Sequence, residues 1–249
     1  MKKVLIFGSG SIGTHMSFAC RKLKFDVSVT DISSLALERM EKKVFPKRYG
    51  KWDRKINLIN YKKVFDIKEK YDLVIIGTPP KTHIHLYNQC LKKLRFDKIL
   101  IEKPLTYYND KNLKNFESSS LKKIVFCGYN HSISKSFKHF LALIDNKGYK
   151  IKTIDVNWRE NWDGILNAHF WLKNEFSSYL GNIKDGGGAL QEHSHGLHLL
   201  NIILKKRNID LKKINFSKKS IFTSNKKYKY DIFSSISGIK NNIFFNYQT

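Results

Sequence analysis

The sequence predicts an α/β protein in two parts, a doubly wound parallel sheet followed by a smaller α+β domain with an open sheet. Three observations support this prediction. Short apolar runs alternate with helical patterns through the first half, and a glycine-rich turn follows the first run. The second half has a helical stretch followed by several strand-like runs. We place the domain boundary so that residues 1–128 form the first domain and residues 129–249 the second.

Composition excludes several classes of protein. Of the 249 residues, 41% are hydrophobic and 13% aromatic, as in globular rather than disordered proteins. No apolar run approaches the roughly 20 residues of a membrane span, and the first run is too short for a signal peptide. We therefore expect a cytoplasmic protein without a membrane partner. The 3 cysteines are far apart, so neither a disulfide framework nor a zinc ribbon is predicted.

The formal net charge of +25 would suit a nucleic-acid-binding protein. The lysines are spread over the whole chain, however, and accompany many asparagines and isoleucines, which is typical of a coding bias. No RNP-like or zinc-finger motif is present. We therefore predict no nucleic-acid partner, although the positive field favours phosphorylated or nucleotide-linked substrates.

The first βαβ unit carries a dinucleotide-binding pattern. The strand KVLIF is followed by GSGSIG, a helical pattern and the strand DVSVTD. Gly8 would make the tight turn, Gly10 would let the backbone approach a pyrophosphate, and Gly13 would let the helix pack closely. Asp31, which ends the second strand, would accept hydrogen bonds from both ribose hydroxyls. The alternative is a glycine turn in an unrelated α/β domain.

The same unit favours NAD over NADP. Asp31 would repel a 2′-phosphate, and no arginine follows it directly, since Arg39 lies in the next helical pattern. The helix N-terminus, with Ser11 and Ile12, would offer free N–H groups and a positive dipole end to the phosphates.

Further strands are predicted to end at one edge of the sheet. They are LVIIG at 73–77, KILIEKPL at 98–105 and KKIVFCGYN at 122–130. Open α/β sheets bind ligands outside the carboxyl ends of their strands. The polar residues expected along that edge are Thr78, His83, Glu102, Lys103 and Asn130.

The motifs GSGSIG, TPPKTH, EKPL, GYN and GGGAL resemble, in order and spacing, the Gfo/Idh/MocA family of nicotinamide-dependent oxidoreductases. EKP is the most specific of them. The resemblance implies a Rossmann domain, and it implies that Lys103 of EKP lies at the junction of nicotinamide and substrate. It also implies that His83 lies near the nicotinamide. The other cofactor contacts expected in these motifs are Thr78, Pro79 and Glu102.

Lys103 also has a chemical argument of its own. The proline that follows it restricts the backbone, and at the mouth of a cleft its ammonium group would be partly desolvated. Such a group can hydrogen-bond a substrate hydroxyl and stabilise the oxyanion that develops as a hydride moves. The alternative is that Lys103 is one of many surface lysines.

Residues 189–204 are predicted to form one helix that contains three histidines. On a helical wheel His193 joins a core stripe, whereas Glu192 and His195 lie about 60° apart on the opposite side. The histidines do not converge and HExxH spacing is missing, so no metal site is predicted. The core stripe consists of Leu190, Leu197, Leu200 and Leu204.

Glu192 and His195 are the expected catalytic pair. Members of the family carry GGG and then a helix with an aspartate and, usually four residues later, an acid/base histidine. Here Glu192 stands at the aspartate position and Gly196 at the histidine position. One branch of the family has its histidine three residues after the acid, which EHSHG matches. The resemblance therefore implies that His195 moves the hydroxyl proton and that Glu192 orients or contacts the substrate.

The predicted substrate contacts lie before and within the segment 160–185. The aromatic residues of that segment have no clear period, so they could offer faces to a sugar or cover the sheet. The last strand-like run, NNIFFNYQT, coincides with the end of the sequence, so we expect a truncated or reduced sheet whose exposed edge could pair in a homo-oligomer. The predicted substrate contacts are Asn130, Trp162, Tyr179 and Lys184.

These patterns together predict an NAD-dependent enzyme that transfers a hydride to or from a secondary alcohol or ketone of a small-molecule carbohydrate. The expected substrates are sugars, sugar nucleotides or cyclitols. One alternative is a non-catalytic NAD-binding regulatory or sensor protein. The other is a nucleic-acid-associated protein that exploits the positive charge.

Overall fold

The structure, a computed structural model, describes residues 1–117, 124–145, 150–223 and 229–249. These residues form two compact units, Met1–Gly128 and Tyr129–Thr249, and each unit has its own sheet. In these described ranges, no helix combines the length and the hydropathy needed to cross a membrane.

The strands of the first unit are β1 (Lys3–Phe7), β2 (Asp26–Asp31), β3 (Ile56–Asn60), β4 (Lys70–Ile76), β5 (Arg95–Ile101) and β6 (Val125–Cys127). They form one parallel sheet with the order β3-β2-β1-β4-β5-β6. The strand order reverses between β1 and β4, which opens a crevice at the carboxyl ends of these two strands. The predicted doubly wound sheet is confirmed.

The helices of the first unit are α1 (Ser11–Lys22), α2 (Ser34–Arg39), α3 (Phe45–Tyr49), α4 (Tyr61–Val64), α5 (His83–Lys93) and α6 (Leu113–Glu117). They cover both faces of the sheet, because α5 supplies Tyr87 to one core and α1 supplies Cys20 to the other. Successive residues of β1 alternate between these two cores. A strand that is buried on both faces must be apolar throughout, which explains the continuous run KVLIF.

Three strand predictions for the first unit are wrong in their bounds, and one strand was not predicted. The run 73–77 was predicted as a strand, but β4 begins at Lys70 and ends at Ile76. The run 98–105 was predicted as a strand, but β5 ends at Ile101, before Pro104, which has no N–H to donate to a ladder. The predicted run 122–130 contains only β6, and residues 122–123 lie outside the described ranges. The edge strand β3, INLIN, was not predicted, because its apolar residues neither alternate strictly with polar ones nor form a continuous run.

The strands of the second unit are β7 (Thr153–Asn157), β8 (Ser217–Phe222), β9 (Asp231–Lys240) and β10 (Ile243–Gln248), in the order β7-β10-β9-β8. The helices are α7 (Lys135–Ile144), α8 (Trp162–Ala168), α9 (Ala189–Glu192) and α10 (Ser194–Lys206). The sheet is mixed, because β10 runs parallel to β7 and antiparallel to β9. Leu200 and Leu204 of α10 pack with Phe245 and Tyr247 of β10 in the core. The predicted smaller α+β domain is therefore confirmed.

The single helix predicted over 189–204 is wrong, because the chain forms α9 and α10 with a break at His193. The His193 backbone has φ −87° and ψ 15°. Its carbonyl accepts hydrogen bonds from the Tyr247 hydroxyl at 2.7 Å and from the Gly196 N–H at 3.1 Å. The buried tyrosine hydroxyl stabilises this tightened turn, so one helical wheel does not extend across it. His193 itself is buried, as predicted.

Candidate functional site

The glycine loop between β1 and α1 is closely packed except at one position. A Cβ atom at Gly8, where φ is +98°, would lie 2.7 Å from the Gly77 carbonyl oxygen. A Cβ atom at Gly13 would lie 1.8 Å from the Gly8 carbonyl oxygen. A Cβ atom at Gly10 would meet nothing within 4 Å. The loop thus needs two glycines for its own packing, and the third faces open space beside a helix N-terminus, which fits a pyrophosphate.

The Asp31 carboxylate braces this loop. Its Oδ2 accepts hydrogen bonds from the backbone N–H and the hydroxyl of Ser9, both at 2.8 Å. Its Oδ1 accepts one from the Ser33 N–H at 2.9 Å. Ser9 is fully buried and was not predicted, although a hydroxyl residue within a glycine turn is a signal that could have been used. Asp31 is partly exposed at the end of β2 and keeps lone-pair capacity for a ribose hydroxyl.

The first turn of α1 contains Ser11 and Ile12. The Ser11 carbonyl accepts a hydrogen bond from the Arg48 guanidinium at 3.2 Å. Arg48 was not predicted, because α3 brings it to this turn from far along the chain. The Ile12 side chain packs against the next loop, since a Cβ atom at Gly77 would lie 3.2 Å from it. Ile12 can therefore face a phosphate only through its backbone.

The loop after β4 is stabilised by its own hydrogen bonds. The hydroxyls of Thr78 and Thr82 lie 2.7 Å apart. The Pro79 carbonyl accepts from the Thr82 N–H at 2.9 Å and from its hydroxyl at 2.8 Å. These bonds form the short 3-10 turn Pro80–Thr82 that leads into α5.

The EKP segment follows β5 directly. Glu102 is only 7% exposed, and a Cβ atom at Gly128 would lie 2.6 Å from its Oε1. Burial, together with Glu102, raises the pKa of Cys127 to about 12, so this thiol stays protonated at neutral pH. Lys103 is partly buried and is joined to Pro104 by a cis peptide bond. The buried Glu102 carboxylate therefore packs against Gly128, while Lys103 follows two residues after the end of β5.

His83, at the start of α5, is 0% exposed. Its Nε2 lies 2.7 Å from the Thr78 carbonyl oxygen, and its Nδ1 lies 3.1 Å from that of Pro104 and 3.2 Å from that of Leu105. Burial lowers the pKa of His83, and the three carbonyl contacts oppose that change. The ring is enclosed by backbone carbonyls on both sides, and the cofactor contact expected for it stays a prediction.

In the second unit, His195 lies in a cluster of aromatic rings. The ring centroid of His195 is 4.6 Å from that of His131, 5.6 Å from that of Trp158 and 5.7 Å from that of Tyr129. Tyr129 also stacks on His198 at 4.3 Å. Burial, with a contribution from a nearby lysine, lowers the pKa of His198, which favours its neutral form at pH 7.

This aromatic cluster explains why the histidine stands at position 195. A Cβ atom at Gly196 would lie 2.6 Å from the Trp158 Cβ and 2.8 Å from a ring carbon of Tyr247. Any side chain at 196 would collide with these two residues. The imidazole can therefore be supplied by His195 but not by the neighbouring position. Sequence reasoning did not predict Trp158 or His131, which come from other elements of the fold.

Glu192 is partly buried at the end of α9, and GGG forms the entry to that helix. A Cβ atom at Gly187 would lie 2.1 Å from the Tyr179 carbonyl oxygen, and one at Gly188, where φ is +92°, would lie 2.2 Å from Asp231 Oδ1. Asp231 is 1% exposed, and its Oδ2 accepts from the Leu190 N–H at 2.8 Å. This buried carboxylate caps α9 from 41 residues away, so no local pattern could have revealed it.

The four predicted substrate residues have different surroundings. Asn130 is exposed. In the sequence it lies between Tyr129 and His131, which both belong to the aromatic cluster around His195. Trp162 packs edge to face on the buried Tyr230 at 5.4 Å, which favours the alternative that it covers the sheet. The remaining two, Tyr179 and Lys184, lie in the short 3-10 turns Tyr179–Gly181 and Ile183–Asp185, where Lys184 is exposed.

Metal ligands are not gathered anywhere in the part of the chain that the structure describes. Within it, no group of three or more histidine, cysteine or acidic side chains is arranged to hold an ion. His131 and His195 contact each other edge to face, and His198 stacks on Tyr129. The cluster offers imidazoles that can hydrogen-bond and transfer protons.

Comparison with known proteins agrees with this geometry. The family model GFO_IDH_MocA, described as an oxidoreductase family with an NAD-binding Rossmann fold, matches residues 2–129, just over half of the chain. No curated protein sequence matches the chain. Solved structures match almost all of it at low identity, which shows a common fold.

Three of these solved structures illustrate the likeness. Myo-inositol 2-dehydrogenase from Lactobacillus plantarum has a TM-score of 0.69 at 15% identity, with 99% of this chain and 69% of that one covered. The WlbA dehydrogenase from Chromobacterium violaceum, in complex with NADH and UDP-GlcNAcA, has a TM-score of 0.67 at 14% identity, with 99% of this chain and 66% of that one covered. Scyllo-inositol dehydrogenase from Lactobacillus casei, with NAD(H) and scyllo-inositol, has a TM-score of 0.64 at 14% identity, with 100% of this chain and 69% of that one covered.

The chain thus spans about two thirds of the length of the structures it matches. The glycine loop and the EKP segment both lie within the matched residues 2–129. The chain belongs to the Gfo/Idh/MocA family of oxidoreductases, with its NAD-binding Rossmann fold.

Proposed function

We propose that this protein is an NAD-dependent dehydrogenase acting on a secondary alcohol or ketone of a sugar, sugar nucleotide or cyclitol. The observation that carries the proposal is the partly buried His195 imidazole within its aromatic cluster. An NAD-binding sensor would need only the glycine loop. The similar structures whose descriptions include inositols or UDP-GlcNAcA support this substrate class.

The glycine loop and the N-terminus of α1 would hold the pyrophosphate of the cofactor. Gly10 supplies the open approach, and the backbone N–H groups of Ser11 and Ile12 face the phosphates. Asp31 would accept from the ribose hydroxyls, and its negative charge disfavours a 2′-phosphate, so we propose NAD rather than NADP. Thr78 and Pro79 would border the same site from the neighbouring loop. When bound, the nicotinamide accepts or donates the hydride.

Residues of this chain would transfer the proton of the substrate hydroxyl and hydrogen-bond the oxygens of the substrate. In the oxidising direction, His195 takes the hydroxyl proton as the hydride leaves the carbinol carbon, and in reduction it returns that proton. Lys103 would donate a hydrogen bond to a substrate oxygen and stabilise negative charge on it. Glu192 would orient the substrate by accepting from a neighbouring hydroxyl.

The aromatic rings around His195 would also shape the substrate site. Tyr129 and Trp158 offer flat apolar faces of the kind that pack against the C–H face of a sugar or cyclitol ring. Asn130 would hydrogen-bond a substrate hydroxyl. Substrate contacts by Trp162, Tyr179 and Lys184 remain predictions.

We also propose that the protein works in the cytoplasm and can form a homo-oligomer. The edges of the second sheet, β7 and β8, have a row of backbone groups that no further described strand pairs with. Pairing of such an edge with another copy would satisfy those groups. Light scattering at several protein concentrations would test whether the protein forms a homo-oligomer.

A single experiment tests the proposed function. Purified protein is incubated with NAD(H) and a panel of inositols, sugars and sugar nucleotides, while NADH absorbance is followed. We expect turnover with at least one carbohydrate and its loss in Lys103→Ala. NADH binding without turnover of any panel member would favour the sensor alternative. Salt-sensitive retention of nucleic acid without NADH binding would favour the nucleic-acid alternative.

A further inference from the structure

His83 connects two loops of the first unit that are far apart in sequence. Its Nε2 faces the Thr78 carbonyl, which belongs to the loop after β4. Its Nδ1 faces the carbonyls of Pro104 and Leu105, which belong to the segment after β5. Both loops leave neighbouring strands, because β4 and β5 pair in parallel up to Ile76 and Ile101. The ring therefore fills the space between the two loops that border the proposed nicotinamide end of the site.

The surroundings of the ring are polar on both sides. Both His83 nitrogens are directed at backbone carbonyls, and these carbonyls belong to two different loops. A neutral imidazole carries one N–H, so in the form that burial favours the ring donates to one loop at a time, and its two tautomers differ in which loop receives the hydrogen bond.

We propose that His83 is a positioning residue that holds the Thr78 loop and the EKP segment in register and thereby sets the place of Lys103. Lys103 is bonded directly to Pro104, one of the two residues whose carbonyls face the ring. A shift of that carbonyl moves the Lys103 backbone with it. The proposal rests on the proposed function only for the role of Lys103, because the link between the loops can be measured without substrate.

Two amide substitutions separate the two halves of this link. In His83→Asn, the side-chain amide nitrogen takes the place of Nδ1, so it can still donate toward Pro104 and Leu105. In His83→Gln, the amide nitrogen takes the place of Nε2, so it can still donate toward Thr78. His85→Asn is the matched control, because His85 is an exposed histidine of the same helix.

Amide hydrogen exchange is measured on the full chain. In His83→Asn we expect exchange to become at least about tenfold faster at Thr78, Lys81 and Thr82, with residues 103 and 105–107 less affected. In His83→Gln we expect the reverse, and His85→Asn should match the wild type. Equal exchange in all four proteins, or equal loosening of both loops in both variants, would overturn the proposal. If one variant fails to fold, the other still tests the contact between the ring and one of the two loops.

Turnover with any active panel substrate gives the second readout. We expect His83→Gln, which frees the EKP segment, to lower kcat about tenfold with little change in the Kd for NADH. The His83→Asn variant should keep more of its kcat, and Lys103→Ala should cost less in the His83→Gln background than in the wild type. Fully additive losses would contradict the positioning role. A loosened EKP segment in a protein without turnover would sink the proposed function but not the link itself.

Discussion

The two units carry their proposed functional residues in different ways. In the first unit, each candidate residue stands in a short motif at the end of a strand, and parallel pairing of the strands brings the motifs to one edge. In the second unit, His195 of α10 is contacted by the rings of Tyr129 and His131, which precede α7, and of Trp158, which follows β7. A cofactor site can therefore be recognised from local sequence, whereas the aromatic cluster exists only after folding.

The largest expected effect tests the second unit. His195→Asn removes the proposed acid/base, so we expect turnover to fall by about 10²–10⁴-fold, with an unchanged Kd for NADH. The exposed His139 of α7 offers a matched control, and His139→Asn should behave as the wild type. Steady-state kinetics and an NADH fluorescence titration of each variant measure the two quantities. Equal turnover in both variants would remove His195 from the mechanism.

A stability measurement sharpens the comparison further. In Gly196→Ala the added methyl collides with Trp158 and Tyr247, so we expect about 1–3 kcal/mol of destabilisation. Gly164→Ala in α8 is the control, because a Cβ atom there meets nothing within 4 Å and alanine favours a helix. Urea denaturation gives both values. If the two variants are equally stable, the rings do not exclude a side chain at position 196.

The smallest expected effect is a pH dependence of stability in the first unit. Burial lowers the pKa of His83 in the folded protein below its ordinary value of 6.5. The unfolded chain then binds the proton more readily, so the stabilisation is complete above about pH 6.5 and is lost as the pH falls through the folded-state pKa. Melting temperatures between pH 8 and pH 5 should fall less steeply in His83→Asn than in wild type. His85→Asn should keep the wild-type slope, and a wild-type slope in His83→Asn would contradict this assignment.

Sequence alone predicted the parts of the molecule that depend on short-range patterns. The glycine loop, the strands β1 and β2, the position of Asp31 and the two fold classes follow from periodicity and turn chemistry. The break at His193 could not be predicted, because it depends on a hydroxyl from Tyr247, 54 residues away. Asp231 and Trp158 were missed for the same reason, since an isolated residue in a strand-like run gives no sign of what it will contact.

The family resemblance and the physical environment give different information about His83. The resemblance implies that this histidine lies near the nicotinamide, and its full burial with three carbonyl contacts suits the positioning role proposed above. Asp31 differs, because it braces the loop through Ser9 while part of its side chain remains exposed. Burial and hydrogen-bond partners thus add information about each side chain that the motifs do not contain.

The central claim is that the open face of the glycine loop binds the dinucleotide, and the affinity of Gly10→Ala for NADH tests it most directly. A methyl group at Gly10 touches nothing in the folded chain, so the melting temperature should not fall. It would occupy the place proposed for the pyrophosphate, so the Kd for NADH measured by calorimetric titration should rise by about tenfold or more. An unchanged Kd in a folded Gly10→Ala protein, or no NADH binding by the wild type, would contradict the account.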